Sequence, residues 1–417
     1  MRRLLWLLPA LIVVACVRPL TQPIAGSQER LLLATDTGLQ VVDPAARRVL
    51  FTARSAVPST DLARLFAVRD HTVAVLDAAS GGPIAVLPLP DGLAPAVVST
   101  SGLRLALAEP RDGGANPWLP AARARTRITI ADPSGVVAPR ELDLDGNFEP
   151  EAFSSDDRSL FVLEYLPPLA PDRYRVRQVE LTSGAVVPLV DRFKRVPIPN
   201  EETMRGQGRQ QVAAPDASRL YTLYTHQPDH LHGRDLAAGL GTARGDVHAF
   251  VHVLSLNEGW AYCVDLPLPF GVGPASAQAL AISPDGARVT VVDRTSGALA
   301  AISTNTLDVT LNVPGTPDAW ADRGLASAHY SPDGSTLYVA GGSELLALDG
   351  ASLAVRSRWP VAASMNGLAV SPDGQRLYLG LEGRVSVLDA TTGRELRSIA
   401  VPELRALKSV ASAAPRT

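Results

Sequence analysis

The tetrapeptide Ser-Pro-Asp-Gly occurs three times, at Ser283-Pro284-Asp285-Gly286, Ser331-Pro332-Asp333-Gly334 and Ser371-Pro372-Asp373-Gly374. It is a turn with a mechanism: Pro presets φ at the second position, Asp bonds back to the backbone, and Gly accepts positive φ. Each copy follows a short apolar run (LAI, AHY, LAV) and precedes a β-rich one (ARVTVV, STLYVA, QRLYLG). A second apolar run follows and ends in another polar turn. A chain punctuated this way is restricted to short antiparallel strands repeated in tandem.

The same frame continues upstream with weaker turns: Ser154-Ser155-Asp156-Asp157, Ala214-Pro215-Asp216-Ala217, Ser99-Thr100-Ser101-Gly102, Ser59-Thr60-Asp61-Leu62 and Ala25-Gly26-Ser27-Gln28. Eight units therefore start at residues 25, 59, 99, 154, 214, 283, 331 and 371. From the first turn residue to the end of the second following strand, Ala25–Asp43, Ser59–Asp77, Ser331–Asp349 and Ser371–Asp389 each span 18 positions, and Ser283–Ser303 spans 20. A repeat of this length with about four strands is a propeller blade. The expected fold is an all-β propeller of eight blades, each a four-stranded antiparallel sheet. Seven blades are the alternative, if the two tight first units merge. Ser409-Val410-Ala411-Ser412 lies where a ninth turn would begin, with no further strands after it. It is expected to supply the inner strand of blade 1 from the other end of the chain and so close the ring.

The clear turns and their strands resemble the YVTN-type propeller repeat, in which SPDG-x-R-L-Y-V precedes a V-x-V-x-D strand. The resemblance implies the propeller fold over residues 25–412 and says little about function. No GH…WD signature is present, which argues against a WD40 protein.

The N-terminus carries a different signal. Met1-Arg2-Arg3 is followed by an apolar segment, Leu4 to Ala15, that is too short to span a bilayer. It ends in Val13-Val14-Ala15-Cys16, which resembles a bacterial lipobox. That resemblance implies cleavage before Cys16 and a diacylglyceryl group on its thiol. Residues 1–15 then read as a signal peptide, 16–29 as the lipidated end and a Pro-containing tether, and 30–417 as one propeller domain. The expected location is extracytoplasmic, at the cell envelope (periplasmic or cell surface), with membrane attachment through the lipid alone. The net charge of -3 and 19% charged residues give no footprint for nucleic acid.

Three units break the 18-residue spacing. Ser99–Asp132, Ser154–Glu180 and Ala214–Ser255 span 33, 26 and 41 positions, and each excess falls between the second and third strands of its blade. The connection from Glu180 to Ala214 is also long, at 34. In a propeller these loops share one face, so four insertions gather over blades 3 to 5. They comprise Glu109–Arg125, Tyr165–Arg175, Thr225–Asp246 and Asp191–Gln211. Arg123, Arg125 and Arg127 alternate, as do Arg173, Arg175 and Arg177, which aligns each trio on one side of an extended strand. With Lys194, Arg195, Arg205, Arg209 and Trp118 they are candidate ligand-binding residues for an acidic protein, an anionic small molecule or a glycan. Ion pairing with carboxylates such as Glu201 and Glu202 is the alternative role for the arginines.

His226, Asp229, His230 and His232 supply imidazole and carboxylate groups at a spacing that can hold a divalent metal. No cofactor is otherwise expected. His248 and His252 read as strand residues, and Cys263 as a buried thiol. The chain has no G-x-S-x-G elbow, Walker A loop, H-E-x-x-H or C-x-x-C-H motif. The leading expectation is a binding module that acts through the blade 3–5 loops. The alternative is an enzyme of the lactone hydrolase or of the metal- or quinone-dependent oxidoreductase type, with its site at the axial channel mouth. Glu149, Glu151 and His329 are its candidate groups on or near inner strands.

Overall fold

The structure is a computed structural model that describes residues 28–111, 119–191, 203–204, 207–225, 249–314, 324–342, 344–361 and 363–413. It contains eight antiparallel sheets of four strands, two of them with an added fifth. Blade 8 shows the pattern: Met365–Val370, Arg376–Leu381, Arg384–Asp389 and Glu395–Ala400 follow one another outward from the channel. Blade 1 is composite. Its inner strand, Leu404–Ala413, comes from the C-terminus and pairs antiparallel with Gln28–Thr35. Eight blades, and closure by the C-terminal strand, are thus both present.

Each blade is sandwiched between two others, so both faces of its middle strands are buried. This explains why those strands read as continuous apolar runs. Alternate side chains serve different neighbours. In blade 8, Leu377, Leu379 and Leu381 pack with Tyr338 and Leu345 of blade 7. Tyr378, one position out of phase, packs with Leu31 of blade 1. Eight apolar clusters result, one at each blade-to-blade interface.

The turn that defines the repeat has a recurring hydrogen-bond scheme. In blade 8, Ser371 Oγ donates to Asp373 at 2.5 Å, Asp373 accepts from the Gln375 amide at 3.0 Å, and Ser371 Oγ accepts from the Arg376 amide at 2.9 Å. The weaker turns that are described keep the bond at the third position, although Ala214 has no hydroxyl to make the rest. Ser101 replaces the Asp and accepts from the Leu103 amide at 3.0 Å, and Asp156 and Asp216 do the same for Arg158 and Ser218. The fourth position is left-handed whatever occupies it: φ is 71° at Gly374, but also 57° at Leu62, 58° at Asp157 and 55° at Ala217. Successive turns stack around the ring. A Cβ on Gly374 would stand 3.2 Å from the Pro332 ring of the preceding turn, and one on Gly334 would stand 3.5 Å from Pro284.

Two added strands depart from the repeat. Val190–Asp191 leaves blade 4 and joins the outer edge of blade 5, parallel to Trp260–Asp265. Gly324–Leu325 joins the inner edge of blade 8 before the chain enters blade 7.

Candidate functional site

The insertions over blades 3 and 4 meet where the structure describes them. The Arg123 amide donates to the Pro168 carbonyl at 3.0 Å, and Asn147 Nδ2 donates to the carbonyls of Ala121 and Pro168 at 2.9 and 3.2 Å. The long connection joins them through paired backbone bonds between Tyr174 and Met204. Part of the second insertion is strand: Ser159–Leu166 and Arg173–Glu180 run to eight residues each.

Beneath this face lie two neighbouring cavities of about 320 and 420 Å³. Arg111 and Glu149 line both of them. Arg111 comes from the blade 3 insertion, and Glu149 from the inner strand of blade 4, Asn147–Phe153. Their side chains pair at 3.0 Å. The Tyr165 hydroxyl donates to Glu149 Oε2 at 2.7 Å, and the Arg111 guanidinium lies 5.7 Å from the centre of the Tyr165 ring. Arg111 also donates to the Tyr165 hydroxyl at 2.5 Å, so one cation meets a carboxylate and a phenol together.

Glu151 stands two residues along the same strand and lines the larger cavity. Gln211, on the inner strand of blade 5, donates to its Oε1 at 3.1 Å. Its Oε2 is shut off from solvent and has no hydrogen-bond partner among the described residues. Burial, and then the charge of Glu149, push this carboxyl up to about 7. An aromatic wall completes the site: Tyr165, Tyr174, Tyr224 and Phe250 follow one another at centroid distances of 5.9, 5.6 and 5.4 Å. Burial raises the phenols of Tyr165, Tyr174 and Tyr224, and carboxylate charge adds to this, so all three stay neutral donors.

Five of the six alternating arginines lie on the third strands of blades 3 and 4, with Arg123 just before its strand, and acidic groups meet most of them. Arg123 pairs with Glu109 at 2.9 Å, Arg125 with Asp143 and Asp145 at 2.8 and 2.9 Å, and Arg173 with Asp172 at 2.7 Å. Arg127 donates to the Asp91 carbonyl. Arg175 and Arg177 converge on Glu164 at 2.6 and 2.9 Å. Burial opposes ionisation of Glu164, but these two bonds outweigh it and hold its carboxyl below the usual range. Of the six, only Arg123 lines either cavity.

Cys16, Trp118, Lys194, Arg195, Arg205, His226, Asp229, His230, His232 and His248 lie outside the described residues, as does the side chain of Arg209. His252 is buried on its strand, edge-on to Tyr224 at 6.2 Å. Cys263 is half-buried rather than fully enclosed. His329 sits on the inner strand of blade 7, where burial lowers its imidazole to about 4, and it lines neither cavity. Among the described residues, no three His, Cys, Asp or Glu side chains gather in a metal-holding group.

No protein-family model matches the sequence, and no curated protein gives a significant match. Solved structures do. Apo AztD from Citrobacter koseri aligns at TM-score 0.56 and 13% identity, over 92% of this chain and 97% of its own. A second AztD crystal structure aligns at 0.55 and 11%, over 93% and 98%. Sqt1 from Saccharomyces cerevisiae aligns at 0.52 and 11%, over 84% and 85%. The likeness is one of fold. The chain is an eight-bladed β-propeller. At these identities nothing further passes from the neighbours to this chain, so its function must be argued from its own residues.

Sequence reasoning alone singles out neither Arg111 nor the tyrosine wall. One signal for them was available. Tyr165, Tyr174 and Tyr224, three of the eight tyrosines, each stand at a strand end that borders an insertion.

Proposed function

We propose that this propeller is a binding module of the cell envelope, anchored through a lipid on Cys16 and working through the face over blades 3–5. The observation that carries the reading is the pair of cavities sharing Arg111 and Glu149, lined by residues of the insertions themselves. A pocket that joins an apolar wall to a few convergent polar groups is the usual form of a ligand site. The anchor and the extracytoplasmic location rest on the lipobox-like Val13-Val14-Ala15-Cys16, and kinship with YVTN-type repeats rests on the three SPDG units. On this reading the loop residues Trp118, Lys194, Arg195, Arg205 and Arg209 meet an acidic protein or glycan at the rim, and His226, Asp229, His230 and His232 are the group to test for a divalent metal.

A thermal-shift screen tests this reading, using amines, anionic glycans, phosphorylated metabolites and divalent metals. A true ligand raises the midpoint of the wild type by mass action and loses that effect in Glu149→Gln. If no compound stabilises the protein, or if those that do stabilise the variant equally, the proposal fails. The anchor is tested separately by fatty-acid labelling of the wild type and Cys16→Ser in a bacterial host.

One observation favours an enzyme as the second reading. Glu151, in a cavity beside neutral phenols, titrates near pH 7, where a general acid or base works best. Turnover of a lactone or an electron-acceptor substrate, abolished in Glu151→Gln, would establish it.

A further inference from the structure

Glu149 shows how this pocket satisfies a carboxylate: a guanidinium lies against it and over the Tyr165 ring. Glu151 repeats the arrangement one step along the strand. It faces Gln211 from blade 5 and Glu149 from its own strand, and its charge acts on Tyr174 and Tyr224. Among the described residues that line this cavity, Arg111 is the cation, and it pairs with Glu149 at 3.0 Å. Glu151 lines the cavity, and its Oε2, enclosed at the wall, is an acceptor that no described donor meets. An acceptor of that kind costs about 1–3 kcal/mol when no donor meets it, and more if it is charged.

Resting on the binding reading above, we propose that the larger cavity takes an organic cation: a protonated amine whose N–H meets the Glu151 carboxylate, with Oε2 turned toward the cavity, while its carbon body lies along Tyr174 and Tyr224. Three independent features converge on this class. The carboxylate oxygen asks for a donor, the aromatic faces attract positive charge, and the cavity of about 420 Å³ admits a small amine of one ring's size. A free carboxylic acid as ligand is disfavoured, because it would meet Glu149 and Glu151 together. Binding is linked to protons. The amine selects ionised Glu151, so complex formation near pH 7 releases a proton, and affinity rises between pH 6 and 8.

The test is titration calorimetry on the full chain in detergent, with phenethylamine, its neutral isostere phenethyl alcohol, phenylacetate, tetramethylammonium, and magnesium or zinc chloride. The expected result is saturable phenethylamine binding, at least tenfold tighter than the alcohol, with a heat that depends on the buffer's ionisation enthalpy. Glu151→Gln is expected to lose at least tenfold and to abolish that buffer dependence, and Tyr224→Leu to weaken binding while retaining it. Equal binding of amine and alcohol overturns the proposal, as does undiminished amine binding by Glu151→Gln or no amine binding at all. If phenylacetate or a metal binds instead, and Glu149→Gln removes it, the amine class falls and the binding-module reading survives. Preference for tetramethylammonium, which has no N–H, would overturn the role of Glu151 Oε2 as acceptor.

Discussion

Glu29, near the start of the first described strand, pairs with Arg376 of blade 8 at 3.0 Å across 347 residues of sequence. The Tyr378 hydroxyl donates to the same carboxylate. Glu29 is only 5% exposed, so the pair is a latch inside the seam where the ring closes. Without Glu29, Arg376 keeps Asp373 at 2.8 Å, but the buried Tyr378 hydroxyl loses its acceptor. Glu29→Ala is expected to cost about 1–3 kcal/mol, read as a lower urea midpoint at unchanged m-value.

The seam also depends on the last strand. Leu404 and Leu407 are buried between blades 8 and 1. A chain ending at Val401 leaves Gln28–Thr35 without its inner partner. It is expected to lose cooperative thermal unfolding and to elute as aggregate on size exclusion, whereas a chain ending at Ala413 unfolds in one step.

The left-handed turn position separates glycine's two roles. Ala217 has φ 55°, which costs an L-residue about 1 kcal/mol. Ala217→Gly is expected to raise stability by about 0.5–1 kcal/mol. Gly374→Ala meets both the φ of 71° and the Pro332 ring, and is expected to cost about 1–2 kcal/mol. Denaturation midpoints of the two variants should move in opposite directions.

Glu151 sets a pH dependence with a definite sign. Its carboxyl is raised from 4.5 to about 7, so the folded state holds a proton that the unfolded state releases between those values. Stability therefore falls as pH rises from about 4.5 to 7, by about 3 kcal/mol at the limit of full coupling. Glu151→Gln is expected to flatten this slope and to exceed the wild type at pH 8. The turn aspartates act in the opposite sense. The Ser283 and Ser331 hydroxyls hold Asp285 and Asp333 below their ordinary value, so their contribution is present above about pH 4 and is lost in stronger acid. Chemical denaturation at pH 3, 5 and 8 reads both effects.

Much of the ring is legible along the chain because its determinants are local. A Ser, an Asp and a residue able to take positive φ lie within four positions, and each turn resets the count. Even Leu62, Asp157 and Ala217 take the left-handed position, where the next residue's amide bonds back to the turn Asp. The site is less legible because its parts are distant in sequence. Glu149 and Glu151 can be placed on an inner strand from the repeat. Arg111, Tyr174, Gln211 and Tyr224 come from three blades, and only the packing of consecutive blades brings them around those carboxylates. The arginine trios follow the same rule: Asp143, Asp145 and Glu164 meet them from the neighbouring strand, through a register that no linear spacing displays. The strands Val190–Asp191 and Gly324–Leu325 carry no turn signal and are too short for periodicity to mark.

The eight apolar clusters belong to no single blade; each is held jointly by two. A linear array of such units would need a polar cap at each end. A closed one has no ends, so every blade has two neighbours and none is terminal. Damage to any one blade therefore removes two shared interiors at once, and the molecule has no peripheral unit that it can lose cheaply.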